Sequence, residues 1–209
     1  MSDESRTVVR DFRRDDREAV IEVMVASFRA FGPVDQVVGT DRRARDRRRR
    51  MFEMSLDERG RQHVIVAERA GRIDGALTYV DWPDCTPGIR DRLGAVRIAG
   101  PRLPTLIRDF RRVGTAHPTT PHRHLPALGV RPEAQGRGLG GLLMAEYVRR
   151  CDESGLEGYL ETIRWADASR RAQERLYERH GFSEAAVVPM TEDWSMVTMT
   201  RPAAGAAGV

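Results

Sequence analysis

Hydrophobic positions along this chain switch between two periods, and the switches lay out the elements. Weak alternation over Thr7–Phe12 predicts a first strand. Val20, Ile21, Val23, Met24 and Phe28 recur at helical spacing. They predict a helix over Arg17–Phe28, capped by Asp15 or Asp16 and broken at Gly32-Pro33. A second helix is expected over Arg42–Leu56. The β-branched run Gln62–Glu68, a glycine-containing turn at Arg69–Arg72 and a return over Ile73–Val80 predict a hairpin. The stretch Trp82–Pro121 is rich in Pro, Gly and Arg and holds one expected helix near Leu103–Val113. Such an excursion runs over the surface and often shapes a binding site.

The second half is more regular. Arg123–Val130 predicts a buried strand, Arg131–Ala134 a turn, Gln135–Gly141 a glycine loop and Leu142–Cys151 a helix. Gly158–Ile163 is a further strand, Ala168–His180 a helix closed by Gly181, and Phe182–Val188 and Trp194–Thr200 the last strands. This order implies an α/β (α+β) domain with one mixed sheet and helices on both faces. Residues 1–201 are expected to form that single domain, and the small, featureless residues 202–209 a disordered tail.

Composition narrows the chemistry. At 209 residues one core can bury enough surface without a disulfide or metal staple. The chain has no Lys and no Asn, which excludes a Schiff-base lysine, a Walker-type phosphate lysine and any catalytic asparagine. The net charge of +4 reflects 35 basic residues against 31 acids, weak support for a nucleic-acid or membrane partner. The basic run Arg47–Arg50 reads either as an anion or RNA patch or as a solvated face interleaved with Asp41, Asp46, Glu53 and Asp57. The second reading is favoured. Cys85 and Cys151 form no CxxC or Cys/His ligand spacing, so no metal is expected, and Cys151 is expected in the core. The chain shows no signal peptide and no apolar run of membrane-spanning length, so a cytoplasmic protein is expected.

The candidate chemistry centres on Gln135-Gly136-Arg137-Gly138-Leu139-Gly140-Gly141. It follows a strand and opens a helix, where unpaired N–H groups and the helix dipole favour an anion, and glycines let the backbone approach a phosphate. A Walker loop would need a Gly-Lys-Ser/Thr end, which is absent. The string also satisfies G-x-G-x-x-G, but it lies deep in the chain without the acidic residue that a dinucleotide site needs about 20 residues later.

Gln135-x-x-Gly138-x-Gly140 resembles the (Arg/Gln)-x-x-Gly-x-(Gly/Ala) signature of the GCN5-related N-acetyltransferases, the GNAT superfamily. The run Leu128–Gly140, then Tyr159-Leu160-Glu161-Thr162 and Leu176–Phe182, resemble that family in order and approximate spacing. The subgroup that includes puromycin N-acetyltransferase is also similar at Pro121–Val130 and Trp194–Arg201. The resemblance implies a mostly antiparallel sheet splayed between its fourth and fifth strands, with acetyl-CoA as co-substrate. It implies a small-molecule amine as acceptor, attacking in a ternary complex, and it makes a homodimer possible. The backbone of Leu128, Gly129 and Val130 would meet the pantetheine arm. The N–H groups of Gly136, Arg137, Gly138, Leu139, Gly140 and Gly141 would hold the pyrophosphate, with the Arg137 side chain either a phosphate partner or solvated. Tyr177 would be the general acid for the departing thiolate. Glu161 or His124 would be the general base, and His122 shares a strand face with His124.

Two departures stand out. The family's asparagine between the Leu-Glu-Thr strand and the Tyr-Glu-Arg segment is missing, and Ser169 or Arg170 could replace its contact. The interval Ile163–Leu176 is also longer than in the subgroup. A non-catalytic acyl-CoA-binding regulatory module is the alternative reading, and an Arg-rich nucleic-acid binder ranks last.

Overall fold

The structure is a computed structural model and describes residues 6–29, 31–56, 62–85, 94, 96–167 and 171–204. Its centre is a seven-stranded sheet in the order β1-β2-β3-β4-β5-β7-β6. The strands are β1 (Val8–Asp11), β2 (His63–Arg69), β3 (Arg72–Asp81), β4 (His122–Val130), β5 (Glu157–Trp165), β6 (Ser183–Pro189) and β7 (Trp194–Arg201). Every neighbouring pair is antiparallel except β4 and β5. The helices are α1 (Arg17–Ser27), α2 (Gly32–Val38), α3 (Ala44–Ser55), α4 (Leu103–Gly114), α5 (Leu139–Ser154) and α6 (Ala172–Glu178). No helix among the described residues is long and apolar enough to cross a membrane.

Strand alternation divides the core between the two faces of the sheet. On one face Ile65, Ala67, Leu77 and Tyr79 meet Leu143, Met144 and Tyr147 of α5, with Tyr177 and Phe182 beyond. On the other, Val64, Val66, Ile73 and Ala76 meet Val20, Ile21 and Met24 of α1 and Phe52 of α3.

Three expectations change. Gly32-Pro33 ends nothing further than α1: it starts α2, because proline fits the first helical turn, where its missing N–H has no intrahelical partner. The run Arg47–Arg50 is not a freely solvated face. Arg48 is buried and pairs with Asp35 of α2 at 2.6 Å. Arg49 reaches Glu18 and Glu22 of α1, at 2.6 and 2.8 Å. These pairs pin α3 to its neighbours. The tail is held at its start, since Ala203 is buried and the Ala204 N–H donates to Asp152 at 2.7 Å; residues 205–209 lie outside the described ones.

The feature that shapes the site lies between β4 and β5. Thr78 pairs with Ala127 and Val80 with His124, so Leu125 and Pro126 together face Tyr79. This is a bulge in β4, and proline there offers no N–H to either neighbour. The β4–β5 ladder ends at the same point, with Leu125 opposite Leu160. Beyond it Ala127–Val130 pair only with β3, and Glu161–Trp165 only with β7. The two strands therefore part into a wedge. Below it, the Tyr147 hydroxyl donates to the Arg123 carbonyl at 2.6 Å and ties α5 to β4.

The β2–β3 hairpin turns at Ala70-Gly71, both at positive φ, 50° and 74°. That is the type I′ pattern, which prefers Asn-Gly because a Cβ without local hydrogen bonding is strained there. Ala70→Asn is expected to stabilise the fold by about 1 kcal/mol. Chemical denaturation would read this as a higher midpoint with an unchanged slope; an unchanged or lower midpoint would contradict the turn assignment.

Candidate active site

The glycine segment leads from the mouth of the wedge into α5. Gly136 and Gly138 sit at φ 75° and 82°, where an added Cβ would meet no neighbour but would strain the backbone. The helix begins at Leu139, three residues earlier than its hydrophobic spacing predicts, so Gly140 and Gly141 are already helical. Leu139, Gly140 and Gly141 therefore lie in the first turn, where N–H groups have no intrahelical acceptor. The Leu139 side chain is buried in the core, which leaves only its backbone for a ligand. Gln135 turns back, its Nε2 donating to the Val130 carbonyl at 3.0 Å, so its side chain shapes the turn. Arg137 is exposed and makes no ion pair or hydrogen bond among the described residues. Gly129 is buried against α1, where a Cβ would come within 2.8 Å of Ser27 Oγ.

Glu161 is the first residue of β5 past the last β4 pair. Its carboxylate accepts from His124 Nε2 at 2.7 Å and from the Tyr159 hydroxyl at 2.9 Å. The His124 and Glu161 side chains are 12% and 17% exposed, so the pair is little screened by water. Burial works against a charged His124 ring, but the Glu161 charge and contacts with Cys85 and Glu161 outweigh it and lift the ring to about 9. Burial likewise opposes the Glu161 carboxylate, and the His124 charge outweighs it and holds Glu161 below the usual carboxylate value. In the free protein the two therefore stand as an imidazolium–carboxylate pair that titrates as a unit. His122, fully buried, lies on the same strand face. His117 packs edge-on against His122, His124 and Tyr159, with ring centroids 4.9, 5.4 and 4.8 Å away.

Tyr177 is buried on α6 beside Phe182, centroids 6.4 Å apart. Its hydroxyl has no hydrogen bond among the described residues, and burial pushes the phenol up to about 12. Two contacts fix α6. Buried Glu174 takes Arg171 at 2.8 Å and is also held by Arg164 of β5. His180 places its ring nitrogens 2.9 and 3.1 Å from the carbonyls of Leu176 and Gly141, joining the end of α6 to the first turn of α5.

The structure thus brings Glu161 and His124 into direct contact, with Tyr177 on the helix clamped to β5. Ser169 and Arg170 lie outside the described residues. Tyr159, His117 and Cys85 were not among the expected site residues. Tyr159 was within reach of sequence reasoning, since it shares a strand face with Glu161 two positions on. His117 and Cys85 come from the Trp82–Pro121 excursion, whose path no periodicity encodes. Arg164 and Glu174 explain part of the extra length in Ile163–Leu176: they lock β5 to α6.

Residues 106–184 match the family model of the acetyltransferase (GNAT) domain. Among solved structures, one described as histone acetyltransferase HPA2 and related acetyltransferase from Corynebacterium glutamicum is similar over 97% of this chain and 99% of its own, at 21% identity and TM-score 0.72. A polyamine N-acetyltransferase of Drosophila melanogaster, which forms N-acetylagmatine, is similar over 94% of this chain and 100% of its own, at 20% identity and TM-score 0.65. PaiA N-acetyltransferase from Thermoplasma acidophilum, solved with coenzyme A, is similar over 94% and 99%, at 13% identity and TM-score 0.55. At 21% identity or below, these similarities show that the chain shares the fold of GNAT acetyltransferases, and the family-model match lies within that fold.

In chelator-treated protein, the His124 ring followed by NMR is expected to titrate near 9. Glu161→Gln removes the anion and leaves only the Cys85 contact to oppose burial, so the midpoint should fall below that of the parent. A midpoint unmoved by Glu161→Gln would show that the carboxylate does not hold the proton on His124.

Proposed function

We propose that the protein transfers the acetyl group of acetyl-CoA to an amine of a small molecule by direct attack in a ternary complex. The observation that carries this reading is the wedge between β4 and β5, opening beside a glycine-lined helix start. An extended pantetheine arm can add to the free edge of β4 at Leu128, Gly129 and Val130. Its pyrophosphate then meets the first-turn N–H groups of α5 and the unpaired Arg137.

The chemistry follows from the groups around the wedge. The amine nitrogen attacks the thioester carbonyl carbon, the C–S bond breaks, and the thiolate takes the Tyr177 proton. The phenol stays protonated near neutral pH; burial makes it a weaker acid, and the same burial would raise the basicity of a thiolate held beside it, which offsets that. The ammonium proton passes, directly or through water, to Glu161, the carboxylate of the pair, since His124 already carries its proton. Glu161, the anion of this pair, also favours a cationic amine in the approach. The Drosophila relative acts on polyamine-type amines, and the subgroup resemblance adds natural-product amines to the panel worth testing.

CoA release measured with acetyl-CoA and such a panel should identify at least one acceptor. Tyr177→Phe should then lower kcat by about 100-fold or more while leaving acetyl-CoA affinity unchanged; full activity in that variant would remove Tyr177 from the mechanism. Arg137→Ala is expected to weaken acetyl-CoA binding several-fold at low salt and less at high salt. Affinity equal to the parent's at low salt would mean that Arg137 does not meet a phosphate.

A further inference from the structure

The cysteine and histidines at the foot of the wedge form a donor set in which only His124 also belongs to the pair that the proposed acetyl transfer uses. The ligand atoms of Cys85, His117 and His124 all lie within 4.8 Å of one another. They come from three places: the turn after β3, the segment before β4, and β4 itself. Each histidine in the cluster has one ring nitrogen already committed. His117 Nδ1 faces the Pro118 carbonyl at 3.0 Å, His122 Nδ1 the Thr120 carbonyl at 2.8 Å, and His124 Nε2 the Glu161 carboxylate at 2.7 Å.

That pattern matters because metal-bound histidines almost always hold their second nitrogen on a carbonyl or carboxylate, which fixes ring orientation and tautomer. With those nitrogens occupied, His117 is left with Nε2 and His124 with Nδ1. Cys85 Sγ lies beside them, 3.6 Å from the third free imidazole nitrogen, His122 Nε2. A tetrahedral ion with bonds of about 2.0–2.3 Å sets its donors about 3.3–3.7 Å apart, so small side-chain rotations close the cluster. One thiolate with imidazoles suits zinc or a similar borderline-soft ion and not magnesium or calcium, which take oxygen ligands.

We propose that Cys85, His117 and His124 bind one divalent transition metal of the zinc class. Glu161 supports the site through His124, and buried His122 backs the Cys85 sulfur. The local spacing around each cysteine carries no metal signature; the fold alone assembles the three ligands.

The test uses the full chain, stripped with a chelator and titrated with Zn²⁺ by calorimetry and with Co²⁺ by optical spectroscopy. Neither readout depends on acetyl transfer. One ion per chain is expected, with a thiolate-to-cobalt charge-transfer band. Cys85→Ser should abolish the band, and both Cys85→Ser and His117→Gln should weaken Zn²⁺ binding by about 10-fold or more. Cys151→Ser, on the buried face of α5, should change neither. Absence of the band, its survival in Cys85→Ser, or Zn²⁺ affinity unchanged in His117→Gln would overturn the site.

Discussion

The break in pairing between β4 and β5 governs the rest of this structure. A parallel ladder that begins at His122 and Glu157 would continue if backbone pairing alone decided the matter. The bulge at Leu125-Pro126 prevents that, since it puts an extra residue into β4 and removes a donor at the point where the ladder stops. The cost is a stretch of strand edge left without a protein partner inside a sheet. Unpaired edges invite another extended chain, and here that opening leads to a helix start that favours an anion.

The surroundings hold this opening in shape. Tyr147 and Arg123 fasten α5 to β4 where the strands are still paired, and Arg123 forks onto Asp81 at 2.7 and 2.9 Å. On the far side, Glu174 gathers Arg164 and Arg171 and so fastens α6, with Tyr177, to β5. His180 then links α6 to the first turn of α5. The wedge is therefore framed by two strands and two helices, each tied to another by a named polar contact. The electrostatics concentrate at its base, where burial makes the His124–Glu161 pair depend on both partners: either charge alone would be disfavoured.

Much of this was legible in the sequence, for stated reasons. The two periods gave the strands and most helices, because a half-buried strand and an amphipathic helix each repeat their apolar side chains at fixed intervals. The glycine loop was readable because Gly136 and Gly138 need a backbone that other residues avoid. Glu161 and His124 were singled out by the family resemblance, and only His122 by strand alternation with His124; the structure puts Glu161 and His124 in contact. What escaped depended on long-range packing. Arg48 reads as surface until Asp35 is brought to it by α2, a helix hidden behind a Gly-Pro pair. His117 and Cys85 gain meaning only when the Trp82–Pro121 excursion returns to β4. Gly140 and Gly141 look like loop because glycine is a poor helix former, yet the first turn tolerates them.

In the proposed reading, the parted strands and the helix start together receive one extended, anionic thioester. Backbone amide hydrogen exchange, compared with and without acetyl-CoA, tests it most directly. Protection gained together at the amides of Leu128–Val130 and Gly136–Gly141 is the predicted result. Saturating acetyl-CoA with no change at those amides, or with protection confined to other parts of the chain, would contradict it.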